Sequence, residues 1–197
     1  MVPVKLLSDA AAVLRARYYL RSALTLGPRV RLWGTPFVSN FGKLYIGDRV
    51  RFSSVVSTLE LGVGRDGTLE IGDRVLINHG CSIAATKLVR IGDRCNIGSQ
   101  VILMDSSFHE LDPARRDQEP EPQPLVLEPN VWLAARVIVL PGVTVGENTV
   151  VGAGSVVTRD LPPNVLAAGM PARVIRSLSS GEQAGGQAST LASIGPR

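Results

Sequence analysis

The sequence predicts a mainly β fold, a parallel solenoid of short strands, and three observations carry that expectation. The first is an apolar count of six. Leu127, Leu133, Val139, Val145, Val151 and Val157 fall at every sixth residue, and Val131, Val137, Val143, Thr149, Ser155 and Leu161 stand four places after each. A helix would repeat its apolar residues at three and four, and a simple strand at every second place, so neither period fits. A short strand followed by a tight turn does fit. Three such sides close a triangular coil of about eighteen residues, and stacked coils form a solenoid. The second observation is Ile-Gly-Asp-Arg, which begins at 46, 71 and 91 and reads as a recurring corner. The third is the 5% aromatic content beside 45% hydrophobic residues, which suits narrow coils filled by branched and small side chains.

In chain order, residues 1–28 read as an amphipathic helical cap. Leu6, Leu7, Ala10, Val13, Leu14, Ala16, Tyr18, Leu20 and Leu24 lie among Arg15, Arg17 and Arg21, with Ser8 as N-cap and Gly27-Pro28 as the stop. Such a helix covers the open strand edge that a solenoid leaves at its end; contact with an anionic membrane surface is the alternative reading. The solenoid occupies 29–178. Its count is loose around Leu32 and Phe37, firm at Ile46, strict through Ile71, Ile77 and Ile83, shifted by a two-residue insertion near Lys87, and restored at Ile91, Ile97 and Leu103. Residues 104–126 interrupt it with a loop of about twenty residues, a length that in a compact repeat is usually functional. Ala172 to Leu178 read as closing the last coil. Residues 179–197, rich in Gly, Ser, Gln and Ala, read as a flexible tail.

Corner glycines and asparagines are expected at bends with positive φ, Gly146, Gly152, Asn130 and Asn148 among them. The repeated aspartates are expected to be corner residues rather than catalytic ones. Cys81 and Cys95 fall in the small inward column on sides that do not stack, so the sequence predicts two buried thiols and no disulfide or zinc pair. No secretory signal and no run of eighteen apolar residues is present, which makes the cytoplasm the default location. A net charge of +4 leaves nucleic acid, membrane and phosphate-bearing ligands open. Scattered basic residues without an aromatic platform argue against nucleic acid.

The segments Asn130-Val131-Trp132-Leu133, Pro141-Gly142-Val143-Thr144-Val145-Gly146, Val151-Gly152-Ala153-Gly154-Ser155-Val156-Val157-Thr158 and Gly169-Met170-Pro171-Ala172-Arg173-Val174-Ile175 resemble the hexapeptide-repeat acyltransferases. Within them the chain is most similar to the galactoside and maltose O-acetyltransferase branch. The resemblance covers roughly residues 30–178 and implies a left-handed parallel β-helix, a homotrimer, and acetyl-CoA as acyl donor with no metal.

By the same resemblance His109 is the general base that takes the proton of an acceptor hydroxyl, a task that neutral imidazole suits near neutral pH. Asn78 matches an acceptor-binding asparagine, and Trp132 a tryptophan beside the reacting end. Ala135 and Ala153 flank the pantetheine arm, Thr158 and Arg159 line its path, and Arg173 and Arg176 approach the phosphates. Asp105 and Glu110 stand as carboxylates that orient the ring or hold acceptor hydroxyls. Two departures matter. One extra residue precedes His109, and Leu76 and Thr86 replace a tyrosine and an aspartate of the galactoside branch, so the acceptor is expected to differ. The expected activity is acetyl transfer to a sugar, glycoside or glycan-precursor hydroxyl by direct attack, between two subunits. The alternatives are another acyl donor, an amine acceptor, or a non-catalytic scaffold. A carbonic anhydrase on this solenoid would need three histidines per metal, and the chain has two in all.

Overall fold

The computed structural model describes residues 4–178, with side chains from Asp9 onward. Strands follow one another around three faces, so that up to β18 each face collects every third strand. Face A stacks β1 (Thr25–Leu26), β4 (Lys43–Ile46), β7 (Thr68–Ile71), β10 (Leu88–Ile91), β13 (Leu125–Leu127) and β16 (Thr144–Val145). Face B stacks β2 (Arg31–Gly34), β5 (Arg51–Ser54), β8 (Leu76–Ile77), β11 (Asn96–Ile97), β14 (Trp132–Leu133), β17 (Val150–Val151), β19 (Val165–Gly169) and β20 (Ala172–Ser177). Face C stacks β3 (Phe37–Asn40), β6 (Glu60–Val63), β9 (Ser82–Ala85), β12 (Ile102–Met104), β15 (Ile138–Val139) and β18 (Val156–Val157). All neighbours are parallel except β19 and β20, whose antiparallel hairpin closes the C-terminal end. The six-residue count is thus the length of one side.

The inward columns are those of the sequence. Leu127, Leu133, Val139, Val145, Val151 and Val157 are buried, and so are Val131, Val137, Val143, Thr149, Ser155 and Leu161. Burying each of the larger aliphatic side chains contributes about 1.5–3 kcal/mol, and stacking them places every branched side chain against its counterpart one coil away. The two polar members are satisfied by the turns around them. Thr149 Oγ1 donates to the Pro162 carbonyl at 2.7 Å, and Ser155 Oγ donates to the Gly152 carbonyl at 2.6 Å. The loose first coil also registers: Leu32 pairs with Phe52 and faces inward, whereas Phe37 is 61% exposed and Val38 takes the inward place.

The corners work differently from the expectation at the glycines. In Ile-Gly-Asp-Arg the positive φ belongs to the arginine, with 58° at Arg49, 60° at Arg74 and 59° at Arg94. Glycine is required beside it for space: a Cβ on Gly47 would lie 2.8 Å from the carbonyl carbon of Gly72, and one on Gly72 would lie 3.0 Å from that of Gly92. The same holds for Gly146, whose Cβ would meet the backbone of Pro163, while Gly152 sits against Ala168 and neither glycine is in the left-handed region. Asn130 and Asn148 do have positive φ, both 61°. The aspartates stitch successive corners, as Asp73 accepts from the Asp48 N–H at 2.7 Å and Asp93 from the Asp73 N–H at 2.8 Å.

The N-terminal element is α1 (Val4–Tyr19), shorter than the expected span and not capped by Ser8, which lies within it. Ala12 and Ala16 on the helix and Leu20 just past its end recur every fourth residue and are buried, and the helix packs against β2 of the first coil. The helix ends because the chain joins the solenoid early: the Leu24 N–H donates to the Leu44 carbonyl at 2.8 Å, and Leu26 pairs with Ile46. The first strand therefore precedes the expected boundary at 29. The tail expected at 179–197 lies outside the described residues.

Candidate active site

The long loop leaves face C after β12 and returns at the start of β13 on face A, so it projects from the edge between those faces. Its root is Asp105. Expected among the acceptor contacts, Asp105 is instead fully buried, and its carboxylate accepts the backbone N–H groups of Thr86, Lys87 and Leu88 at 2.8, 2.7 and 2.6 Å. These amides lie at the corner that the two-residue insertion widens and at the start of β10. The Asp105 carbonyl also accepts from the Gln123 N–H at 2.8 Å, which pins the returning end of the loop. Both of these contacts are structural.

Beyond that root the chain turns sharply. Ser106 Oγ accepts from the Phe108 N–H at 3.0 Å, and Phe108, 44% exposed, has a φ of 60°. A bulky side chain in the left-handed region costs energy and clusters at functional sites, and here it immediately precedes His109. Sequence reading missed this residue, since nothing in its identity signals positive φ. The His109 ring is exposed, with Nδ1 lying 3.1 Å from the Arg116 carbonyl oxygen. A carbonyl only accepts, so Nδ1 carries a proton, and in the neutral ring the lone pair is then on Nε2. The loop is further braced by a 3₁₀ turn at Pro113–Arg115, by Glu110 donating its N–H to the Gln118 carbonyl at 3.2 Å, and by the Lys87–Glu121 ion pair at 2.7 Å.

At the edge between faces B and C lies a second group. His79, Ser99, Ala135 and Ala153 stack along it, linked through the amides of Gln100, Arg136 and Gly154, which donate to the carbonyls of His79, Ser99 and Ala135. The residues are small toward the C-terminal end. A Cβ on Gly154 would have nothing within 4 Å, so the surface beside Ala153 is open. Asn78 Oδ1 accepts from the His79 N–H at 2.9 Å, and His79 Nδ1 lies 3.0 Å from Ser57 Oγ, a contact with no sequence signal because the partners are 22 residues apart. Among the described residues no three His, Cys, Asp or Glu side chains are grouped to hold a metal ion.

On face B, Trp132 stands 51% exposed between its register partners Asn96 and Val150. The same outward row continues to Leu166 and Arg176. Arg173 lies on the same hairpin opposite Ala168, with its guanidinium donating to the Ala172 carbonyl at 2.9 Å. Thr158 and Arg159 follow β18 and are exposed. One chain thus gathers Asn78, Trp132, Ala135, Ala153, Arg173 and Arg176 on face B and its adjoining edge. It carries His109 on the far side of face C.

Two family models match this chain: "Bacterial transferase hexapeptide (six repeats)" over residues 124–159 and "Hexapeptide repeat of succinyl-transferase" over residues 88–104. The galactoside O-acetyltransferase of Escherichia coli K12 is 34% identical over 167 residues, covering 77% of this chain and 81% of the relative. The chain belongs to the hexapeptide-repeat acetyltransferases, in the galactoside and maltose branch. It is an acyltransferase. Among solved structures, a hexapeptide-repeat acetyltransferase of Vibrio cholerae complexed with acetyl coenzyme A is 27% identical with a TM-score of 0.57, covering 90% of this chain and 91% of that one. A galactoside acetyltransferase in complex with coenzyme A is 29% identical with a TM-score of 0.54, covering 91% and 74%.

Proposed function

We propose that this acyltransferase moves an acetyl group from acetyl-CoA to a hydroxyl of a sugar, glycoside or glycan precursor in the cytoplasm, with His109 as general base, in a site shared by two subunits of a homotrimer. The observation that carries the reading is the 3.1 Å contact between His109 Nδ1 and the Arg116 carbonyl, which orients the ring and leaves Nε2 as the nitrogen available to an acceptor. Nε2 removes the hydroxyl proton as the oxygen attacks the thioester carbonyl carbon. The carbon–sulfur bond then breaks, and the proton passes from the imidazolium to the leaving thiolate. No side-chain nucleophile is needed.

The donor's extended arm runs beside Ala135 and Ala153, with Thr158 and Arg159 along its path and the Arg173 and Arg176 guanidiniums toward its phosphates. Trp132 packs beside the reacting end, and Asn78 holds the acceptor. Because His109 projects from a different edge, a neighbouring subunit's loop completes each site. Support comes from the galactoside O-acetyltransferase relative and from the coenzyme complexes of the structural neighbours.

The test is thiol release from acetyl-CoA against sugars, glycosides, nucleotide sugars and amines, run on the wild type and on His109→Ala. Release that requires a hydroxyl acceptor and falls by about 10² to 10⁴ in the variant, with acetyl-CoA binding retained, is the expected result. Full turnover by His109→Ala would overturn the assignment of the base.

A further inference from the structure

We propose that the acceptor carries a phosphate or diphosphate group, held by an arginine-lined groove at the N-terminal end of face B. The inference rests on the acceptor reading given above and deepens it. The groove has a volume of about 460 Å³, and its lining consists of Arg29, Arg31, Arg49, Arg51 and Arg74. Three successive coils contribute to it.

The cations outnumber their local partners. Asp48 pairs with Arg29, which holds its carboxyl below the usual carboxylate range, and it lies 3.9 Å from Arg49 Nε. Asp9 lies 3.7 Å from Arg31 Nε, a buried atom that makes no hydrogen bond. Asp73, the third carboxylate at this corner, accepts from the Asp48 N–H. Among the described residues Arg51 and Arg74 have no carboxylate within ion-pair distance.

This arrangement works against folding in two ways. Arg31 and Arg51 are register partners on adjacent parallel strands, and like charges placed directly opposite are destabilising. Arg49 and Arg74 adopt positive φ at a corner that Arg94 occupies in the next coil and that the coils after it give to Asn130, Asn148 and Asn164, a residue type that visits that region more readily. The asparagines also bond to one another, Asn130 to Asn148 at 2.8 Å and Asn148 to Asn164 at 2.9 Å. The arginines gain no such return within the chain. Their planar forks do suit phosphoryl oxygens, and guanidiniums spread over three coils suit a group with more oxygens than one carboxylate offers.

Position ties the groove to the reaction. Register runs along the outward row of face B from Arg31 to Arg51, Leu76, Asn96 and Trp132. Arg51 is three strands from Trp132, roughly 14 Å at the usual strand spacing. The row reaches Arg176 at its opposite end, so the donor and acceptor phosphates would flank Trp132 from either side. Leu76 lies between the arginines and Trp132 in this row.

The experiment titrates inorganic pyrophosphate into protein saturated with coenzyme A, so that the donor's phosphate site is filled. Wild type, Arg51→Gln/Arg74→Gln and the control Arg65→Gln/Arg90→Gln are compared by calorimetry, with acetyl-CoA affinity and melting temperature as checks on folding. Expected is pyrophosphate binding in the wild type and the control, weakened at least about tenfold in Arg51→Gln/Arg74→Gln, with acetyl-CoA affinity unchanged. Absent binding, or equal binding in all three, overturns the inference. Loss of acetyl-CoA affinity in Arg51→Gln/Arg74→Gln also overturns it, by assigning the groove to the donor.

Sedimentation with phosphatidylglycerol vesicles distinguishes the source. Recruitment that pyrophosphate displaces and the double variant loses identifies a lipid-borne phosphate, and pyrophosphate binding without recruitment identifies a soluble one. Recruitment by the double variant equal to the wild type, without pyrophosphate binding, assigns the membrane contact to α1 and overturns the groove. The two readings fail separately. Thiol release with neutral acceptors but no pyrophosphate binding removes this inference alone, whereas arginine-dependent pyrophosphate binding with no release on any hydroxyl removes the transfer reading and leaves the groove.

Discussion

The carboxylate of Asp105 accepts from the Thr86 N–H at 2.8 Å, and with two further amides from Lys87 and Leu88 it fills the corner that the two-residue insertion opens. Asp105→Asn replaces one acceptor oxygen by an NH₂ group that faces donors. A buried charged acceptor with several hydrogen bonds makes this cost roughly 3 kcal/mol, seen as a melting point lower by about 6–12 °C. Because this carboxylate anchors the root of the loop that carries His109, turnover should fall with acetyl-CoA affinity held. Unchanged stability in thermal unfolding would contradict the structural role.

The insertion and the aspartate were both legible in the sequence, but not their connection. The inward columns were readable because a period of six leaves each coil's residues no other place to go. His109 stood out as one of two histidines in a loop that breaks the period. Contacts between coils were not readable. The Ser57–His79 contact and the three amides on Asp105 depend on how many residues each corner absorbs, which stacking decides. The corner glycines were misread for a related reason: glycine serves both positive φ and close approach, and only the next coil's backbone shows which applies. At Gly72 it is close approach, and Arg74 two residues on takes the strained conformation.

That division of labour predicts opposite effects for two substitutions at neighbouring corners. Gly72→Ala places a Cβ 3.0 Å from the Gly92 carbonyl carbon and nearer still to Asp93, forcing adjacent coils apart; overpacking of this kind costs about 1–3 kcal/mol. Arg94→Asn puts at a φ of 59° a residue that tolerates it, as Asn130 does one coil later. It should leave stability equal or raise it by up to about 1 kcal/mol. Chemical denaturation of both variants checks the pair, and a destabilised Arg94→Asn would mean that its side chain supports the fold.

Cys81 and Cys95 are free and buried, and their thiols donate to the Gly98 and Glu128 carbonyls at 3.0 and 3.2 Å. Burial pushes both thiols up from 9.0 to about 11. Between those values the unfolded chain has released protons that the folded chain still binds, so stability falls as pH rises through that window, by about 1.4 kcal/mol per unit per thiol at most. Below pH 9 the thiols make no pH-dependent contribution. Urea unfolding at pH 8 and at pH 10 should show an extra loss that Cys81→Ala/Cys95→Ala abolishes, even though that variant is less stable throughout. Iodoacetamide should label neither thiol in the native protein at pH 8.

Within one chain the His109 loop projects from the edge between faces C and A, and Ala135 and Ala153 line the edge between faces B and C. A shared site between subunits therefore predicts complementation. In the proposed site His109→Ala would remove the base, and Ala153→Trp would fill the donor's path at an exposed position that the core does not use. Each variant alone should be inactive. Unfolded together in equal amounts and refolded, the two chains should form mixed trimers in which some sites combine an intact His109 from one chain with an intact donor path from the other. Random assembly gives about one quarter of wild-type turnover, because each of the two required neighbours is present half the time. A site built within a single chain would give no recovery, since every chain then carries one defect in its own site.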